Sequence, residues 1–226
     1  MKNKMKIWCI SDTHNKHTML KKPKADIVIF AGDATVSRDK LINQPELESF
    51  FRWFASLPYK YKIYVPGNHD TSYPANLVKA PENVIVLNHN EVVIEGIKIF
   101  GSPYTPRFGS GWSYNVDTWD IKRYWDQIPE DTNILVTHGP AKGILDITMD
   151  KNTKQFRQCG CSALLETIGN IQPDYHIFGH IHNEKDVYNA GILKLPNMKT
   201  TFVNASIVDY YHNFVNPGIL IDIKIK

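Results

Sequence analysis

The chain has 226 residues, 42% of them hydrophobic and 22% charged, enough apolar material for a full core without disulfide or metal staples. Twenty-six Lys and Arg against 23 Asp and Glu leave a net charge of +3, which excludes a strongly basic nucleic-acid footprint as the main theme. No run approaches the roughly 20 consecutive apolar residues of a membrane helix, and the start MKNKMKIWCI passes straight from lysines into a strand pattern, so a cytoplasmic protein without a membrane anchor is expected.

In chain order, short apolar runs predict strands over 6–10 and 26–31, then a helix over 45–57 with Pro45 at its start and Phe50, Phe51, Phe54 and Leu57 on one face. A strand over 61–65 follows. Closely spaced runs over 83–87, 91–95 and 97–101 read as hairpins, and 102–115 (SPYTPRFGSGWSYN) is a long aperiodic loop rich in Gly, Ser and aromatics. A helix over 117–127, a strand over 133–137, a helix over 162–168 ended by Gly169, and strands over 175–178, 201–204 and 218–225 complete the chain. Pro58, Pro129 and Pro173 stand just after the three helices, where proline stops a helix at little cost. Alternating strands and helices followed by hairpins predict a layered α/β fold rather than a purely parallel sheet. No linker divides the chain, and a single domain over 1–226 is expected.

Three cysteines, Cys9, Cys159 and Cys161, are an odd number, and a Cys-x-Cys pair makes an awkward bridge, so all three read as reduced thiols. Cys159 and Cys161 lie away from the polar motifs and take a structural reading. Nine histidines are the count that composition leaves unexplained.

The C-terminal ends of five apolar strands carry a recurrent polar set: Asp12 and His14 after CIS, Asp33 after IFAG, Asn68, His69 and Asp70 after YVPG, His138 after ILVT, and His180 and His182 after HIFG. In open α/β sheets, ligands bind in the crevice outside those ends. Singly, Asp12 and Asp33 read most simply as helix caps, a lone histidine as a satisfied core residue, and Gly-Asn or Gly-Asp as turns. Independent turn chemistry gives no reason for five strands to end this way, and the set as a whole points to metal. Two of these aspartates, the asparagine and four of the histidines form a mixed oxygen and nitrogen set without thiolate, suited to Mn, Fe or Zn. Seven such ligands exceed the needs of one ion, and two ions sharing a carboxylate would use them all.

The blocks Asp12-Thr13-His14, Gly32-Asp33, Gly67-Asn68-His69-Asp70, His138 and Gly179-His180-Ile181-His182 resemble, in order, those of the calcineurin-like metallophosphoesterases. GSPYTPRFGSGWSYN, VTHGPAKGILD and VNAS also resemble the small metallophosphoesterase-domain-containing branch, which includes cyclic-nucleotide phosphodiesterases. The resemblance implies a four-layer α/β/β/α sandwich of two mixed sheets. It assigns Asp12, His14, Asp33 and His182 to one metal and Asp33, Asn68, His138 and His180 to the other, with Asp33 as the bridge. His180 stands where some vertebrate members of the branch carry glycine, so two-metal activity is expected. GDATVSRD in place of GDxVDRG, and Val65-Pro66 in place of an arginine before GNH, set the chain apart from Ser/Thr protein phosphatases.

The implied activity is hydrolysis of a phosphodiester, small cyclic nucleotides foremost, by in-line attack of a hydroxide shared by two divalent ions, with Mn favoured. Asn68 would serve one metal and the phosphate, His69 would protonate the leaving oxygen, and Asp70 would hold the His69 tautomer. Tyr104, Phe108, Trp112 and Tyr114 are candidates for stacking a base, with Arg107 and Lys142 toward the phosphate, or else they are loop aromatics and surface cations. The partner is a small nucleotide or other phosphodiester, with no membrane and no polymeric nucleic-acid surface. Three alternatives remain open: a metallonuclease or phosphomonoesterase with the same site, or a non-catalytic metal-binding module.

Overall fold

A strand apolar at every position has to be covered on both faces, and that requirement organises the molecule. The structure is a computed structural model that describes residues 4–150 and 153–225. One five-stranded sheet has the spatial order Ile219–Lys224, Lys4–Ile10, Ile27–Ala31, Tyr61–Val65, Ile85–Val86. All neighbours in it are parallel except the first pair. A six-stranded sheet runs Gly191–Lys194, Thr201–Asn204, Tyr175–Phe178, Ile134–Thr137, Ile97–Ser102, Asn90–Ile94, with four parallel strands between two antiparallel edges.

The two sheets pack face to face. Ile7, Cys9, Ile27 and Ile29 of the first meet Ile99, Val136, Ile177 and Val203 of the second in one buried cluster. The alternate residues turn outward: Trp8, Val28, Phe30 and Tyr64 pack under the helix Lys40–Ala55. On the far side, Leu135, Phe178 and Phe202 pack under Ser162–Ile171 and Trp125 of the short helix Lys122–Trp125. The result is the expected α/β/β/α sandwich. Period-2 side-chain alternation sends each strand's apolar residues into two different interfaces.

Several boundaries differ from the sequence reading. The first helix starts at Lys40, not at Pro45, because Asp39 caps it by accepting from Leu41 N at 2.9 Å; Pro45 lies inside the helix. The third helix continues past Gly169 to Ile171 and ends at Gln172 in the left-handed region (φ 49°). Only Lys122–Trp125 of 117–127 is helical. Of the expected hairpins, Asn90–Ile94 pairs with Ile97–Ser102, but Ile85–Val86 joins the other sheet in parallel to Tyr61–Val65. Two small ribbons went unforeseen: Ile147–Met149 with Phe156–Gln158, and Thr105–Pro106 with Asn115–Val116 inside the aperiodic loop.

Phe50 is the centre of the outer aromatic layer, 4.5 Å from the Phe30 ring and 5.3 Å from that of Phe54. Phe50→Ala is expected to lower stability by about 3–5 kcal/mol, read from urea denaturation.

Candidate metal centre

Both sheets present the C-terminal ends of their parallel strands at the same edge, and the chain leaves them through sharp turns. Asp12 (φ 53°), His14 (φ 40°), Asp33 (φ 63°) and His180 (φ 69°) all sit in the left-handed region, where an L side chain is strained by roughly 1–2 kcal/mol. Backbone bonds hold the turns: Asp12 N donates to Gly32 O at 2.8 Å, His14 N to Asp33 O at 3.2 Å and Gly179 N to His138 O at 2.9 Å. The sheets are stitched together here by Ser11 N donating to Ala205 O at 3.0 Å. Glycine is required where carboxylates cross the backbone. A Cβ on Gly67 would lie 2.2 Å from Asp33 Oδ1, and one on Gly179 would lie 2.2 Å from Asp12 Oδ2.

The buried side chains are oriented by their second atoms. His14 Nδ1 faces Thr35 O at 2.8 Å, which leaves Nε2 forward, buried and without a hydrogen-bond partner. Asp12 accepts from His180 N at 3.0 Å and from Ser11 Oγ at 2.6 Å, and its Oδ1 lies 3.4 Å from His182 Nε2. Asp33 Oδ1 accepts from His69 N at 2.7 Å, while Oδ2 lies 3.3 Å from His138 Nε2. That nitrogen also faces Asn68 Oδ1 at 2.8 Å, and His138 Nδ1 faces Ala31 O at 2.9 Å. An imidazole with one nitrogen on a backbone carbonyl and the other forward is the usual arrangement of a metal-binding histidine.

Donor atoms gather in three overlapping clusters, each within 4.8 Å: Asp33, His138 and His180; His14, Asp33 and His69; and His14, His182 and His212. Asp33 belongs to two of them. Of the expected ligands, His14, Asp33, His138, His180 and His182 fall in these clusters; Asp12 falls in none and adjoins them through His182, and Asn68 adjoins them through His138. An orphaned buried imidazole nitrogen beside two buried carboxylates is a donor set that fits divalent cations.

The electrostatics follow from burial and crowding. Burial lowers His14 and His180 to about 3. It also works against charge on His138, but Asp33 and its hydrogen bond prevail and raise that imidazole to about 9. Burial opposes the charge of Asp12 as well, yet the hydrogen bond and charge of His182 hold it down at about 2.

Other expectations need correction. Asp70 does not hold the His69 tautomer: His69 Nδ1 faces Val36 O at 2.8 Å. The Asp70 carboxylate instead accepts from Ala34 N, Gly67 N and Tyr64 Oη at 2.8–2.9 Å, tying the Gly32-Asp33 turn to the Gly67–Asp70 turn. Trp112 lies tilted against the His69 ring, 4.5 Å between centroids, with the Arg38 guanidinium over it at 4.7 Å, and it is outside the cleft lining. Tyr104 packs on Tyr124 at 4.0 Å, away from the cleft, and Tyr114 is half-buried with its ring 6.0 Å from that of Tyr104. Lys142 is exposed and outside the cleft lining. Arg107 and Phe108 do line the cleft, a space of about 620 Å³ beside His180 and His182, and Arg107 is ion-paired with Asp117. Cys161 is buried, accepting from Trp125 Nε1 at 3.3 Å, but Cys159 lines the cleft and is not remote from the site. His212, Tyr210 and Arg157 also line it; no motif or periodicity in the sequence marks them.

The family model for calcineurin-like phosphoesterases matches residues 5–184, a span that holds every one of the five blocks. The chain belongs to this family. Human metallophosphoesterase domain-containing protein 1 is 36% identical to this phosphoesterase over 243 residues, covering 95% of the chain and 70% of the relative. Two crystal structures share its fold at 14% identity. One aligns at a TM-score of 0.66 over 99% of this chain and 100% of the other, and the second, TT1561 of Thermus thermophilus, at 0.58 over 98% and 99%. The family implies divalent metal ions, in agreement with the donor clusters of this phosphoesterase. No helix among the described residues is long and apolar enough to cross a membrane.

Both ring nitrogens of His138 face oxygen acceptors, and the Asp33 carboxylate raises its pKa to about 9, which favours the protonated ring at neutral pH. A metal held at Nε2 would therefore expel a proton. Affinity is expected to rise with pH up to about 9, and calorimetry at pH 7 in buffers of different ionisation enthalpy should show proton release; buffer-independent heats would contradict it.

Proposed function

We propose that this phosphoesterase hydrolyses phosphodiester bonds of small nucleotides, cyclic nucleotides foremost, with two Mn²⁺ ions held by Asp12, His14, Asp33 and His182 on one side and Asp33, Asn68, His138 and His180 on the other. The observation that carries this reading is the position of Asp33, buried and common to two donor clusters. When bound, such a pair supplies Lewis acidity toward phosphoryl oxygens and a water acidic enough to attack phosphorus near neutral pH.

The chain's own groups do the rest. Asn68, with Oδ1 toward His138, has an amide left to orient a phosphoryl oxygen. His69 is anchored through Nδ1 on the Val36 carbonyl, so its other nitrogen is free to protonate the leaving oxygen, and Trp112 covers its ring. Asp70 supports this arrangement from below as a positioning residue, through the Gly67 and Ala34 amides.

The cleft favours a compact substrate. Its volume, about 620 Å³, is in the range of small-molecule sites, and Phe108 and Tyr210 give it aromatic walls for a base; of the residues the sequence suggested for that role, Tyr104, Phe108, Trp112 and Tyr114, only Phe108 lines the cleft. Arg107 and Arg157 also line it, ion-paired with Asp117 and Asp150 respectively.

The deciding assay offers 2′,3′- and 3′,5′-cyclic nucleotides, aryl diesters, monoesters and single-stranded DNA to the Mn²⁺-supplemented protein. Turnover of cyclic nucleotides above the others is expected, and exclusive turnover of monoesters or DNA would overturn the substrate assignment. In the same panel, His69→Ala should slow alkyl diesters by roughly 100-fold or more while sparing aryl esters, whose leaving groups need no proton; equal losses would remove the general-acid role.

A further inference from the structure

The loop that follows Thr201–Asn204 returns to the centre and delivers a sixth imidazole to it. Asp209 organises this loop: its carboxylate accepts from Tyr211 N at 2.9 Å, Asn213 N at 2.8 Å and Asn213 Nδ2 at 3.0 Å. Tyr210 N donates to Asn183 O at 2.7 Å, which fastens the loop to the residue after His182. At its tip, His212 has φ 59°, a conformation that glycine or asparagine adopts more readily. Its ring lies on that of His14, 4.2 Å between centroids and 2° between planes, and 5.5 Å from that of His182. His212 lies outside the span 5–184 matched by the family model.

Spacing alone would make His212 a further metal ligand, since one donor nitrogen from each of His14, His182 and His212 falls within 4.8 Å of the others. The ring planes argue against it. An imidazole binds an ion along a lone pair that lies in its own plane, and two parallel planes at stacking distance share no point. His14 and His212 therefore cannot both aim at one ion in this arrangement. His14 has its Nδ1 committed to Thr35 and its Nε2 forward, so it keeps the ligand position. His212 is left beside the ligands, in the wall of the cleft with His180, His182 and Tyr210.

We propose that His212 is a substrate-contacting residue: seated on the face of His14, its ring N–H donates to an oxygen of the phosphoryl group bound at the Asp12, His14 and His182 end of the site. The inference rests on the reading that a phosphoester occupies this cleft, and it adds a hydrogen-bond donor on the side opposite Asn68. Stacking fixes the ring plane, and the Asp209 turn fixes the loop, so the donor is oriented before substrate arrives.

Two variants separate the possible roles of this ring. His212→Phe keeps a flat ring for stacking and removes the N–H, whereas His212→Asn keeps a donor and tolerates the left-handed backbone. Each is loaded with Mn²⁺, its metal content measured by elemental analysis and its affinity for inorganic phosphate by calorimetry, with thermal melting as a check on folding. His212→Phe is expected to keep the wild-type metal content and to bind phosphate roughly 10- to 100-fold more weakly, the loss of one hydrogen bond to a charged group, while His212→Asn recovers part of that affinity. Undiminished phosphate affinity in His212→Phe would overturn the contact, and loss of a metal equivalent in both variants would make His212 a ligand instead. Phosphate binding by a wild-type protein that cleaves no diester would refute the proposed function but leave this inference standing on the variants. A wild-type protein that binds no phosphate would refute the inference.

Discussion

Three aspartates, Asp12, Asp33 and Asp70, are buried within one pair of sheet edges, and the need to stabilise their charge away from water shapes the surrounding structure. Each is held by backbone amides: Asp12 by His180 N, Asp33 by His69 N, and Asp70 by Ala34 N and Gly67 N. They differ in what remains unsatisfied. Asp70 is surrounded by donors and, buried next to Asp33, has its pKa raised to about 6; it locks two turns together. Asp12 and Asp33 keep oxygens directed at imidazoles, and Asp33 raises the pKa of His138, which favours a positive charge there. Cations of higher charge are the natural replacement for that proton.

The sandwich makes this convergence possible. Three of the turns that bear the blocks leave the first sheet and two leave the second, so packing the sheets through Ile29, Ile99, Val136 and Ile177 also fixes the separation of the two halves of the donor set. Four of the residues in the left-handed region, Asp12, His14, Asp33 and His180, stand where the chain leaves the strands. A burden of roughly 1–2 kcal/mol at each is tolerable because the buried clusters on both sides of each sheet over-determine the strands that precede them.

Much of this was legible in the sequence, for an identifiable reason. The apolar runs that end in Asp12, Asp33, Asn68, His138 and His180 are local signals, and parallel strands deliver such ends to one edge whatever the details of the loops. What was not legible depends on tertiary partners. Asp39 overrode Pro45 as the start of the first helix because capping is set by backbone geometry. Nothing local distinguishes Ile85–Val86, which stays with the first sheet, from Asn90–Ile94, which crosses to the second. Asp70 follows His69 directly, yet its side chain turns toward the opposite loop; Trp112 is consumed by His69 and Arg38. His212, thirty residues beyond the last block and in an aperiodic loop, gives no signal until the fold sets it on His14.

Asp33, common to two donor clusters, would be shared by two ions. Anomalous diffraction from crystals loaded with Mn²⁺ tests it most directly: two peaks roughly 3.5–4 Å apart, both within bonding distance of the Asp33 carboxylate, are expected. A single peak at full loading, or a pair that leaves Asp33 unligated, would contradict it.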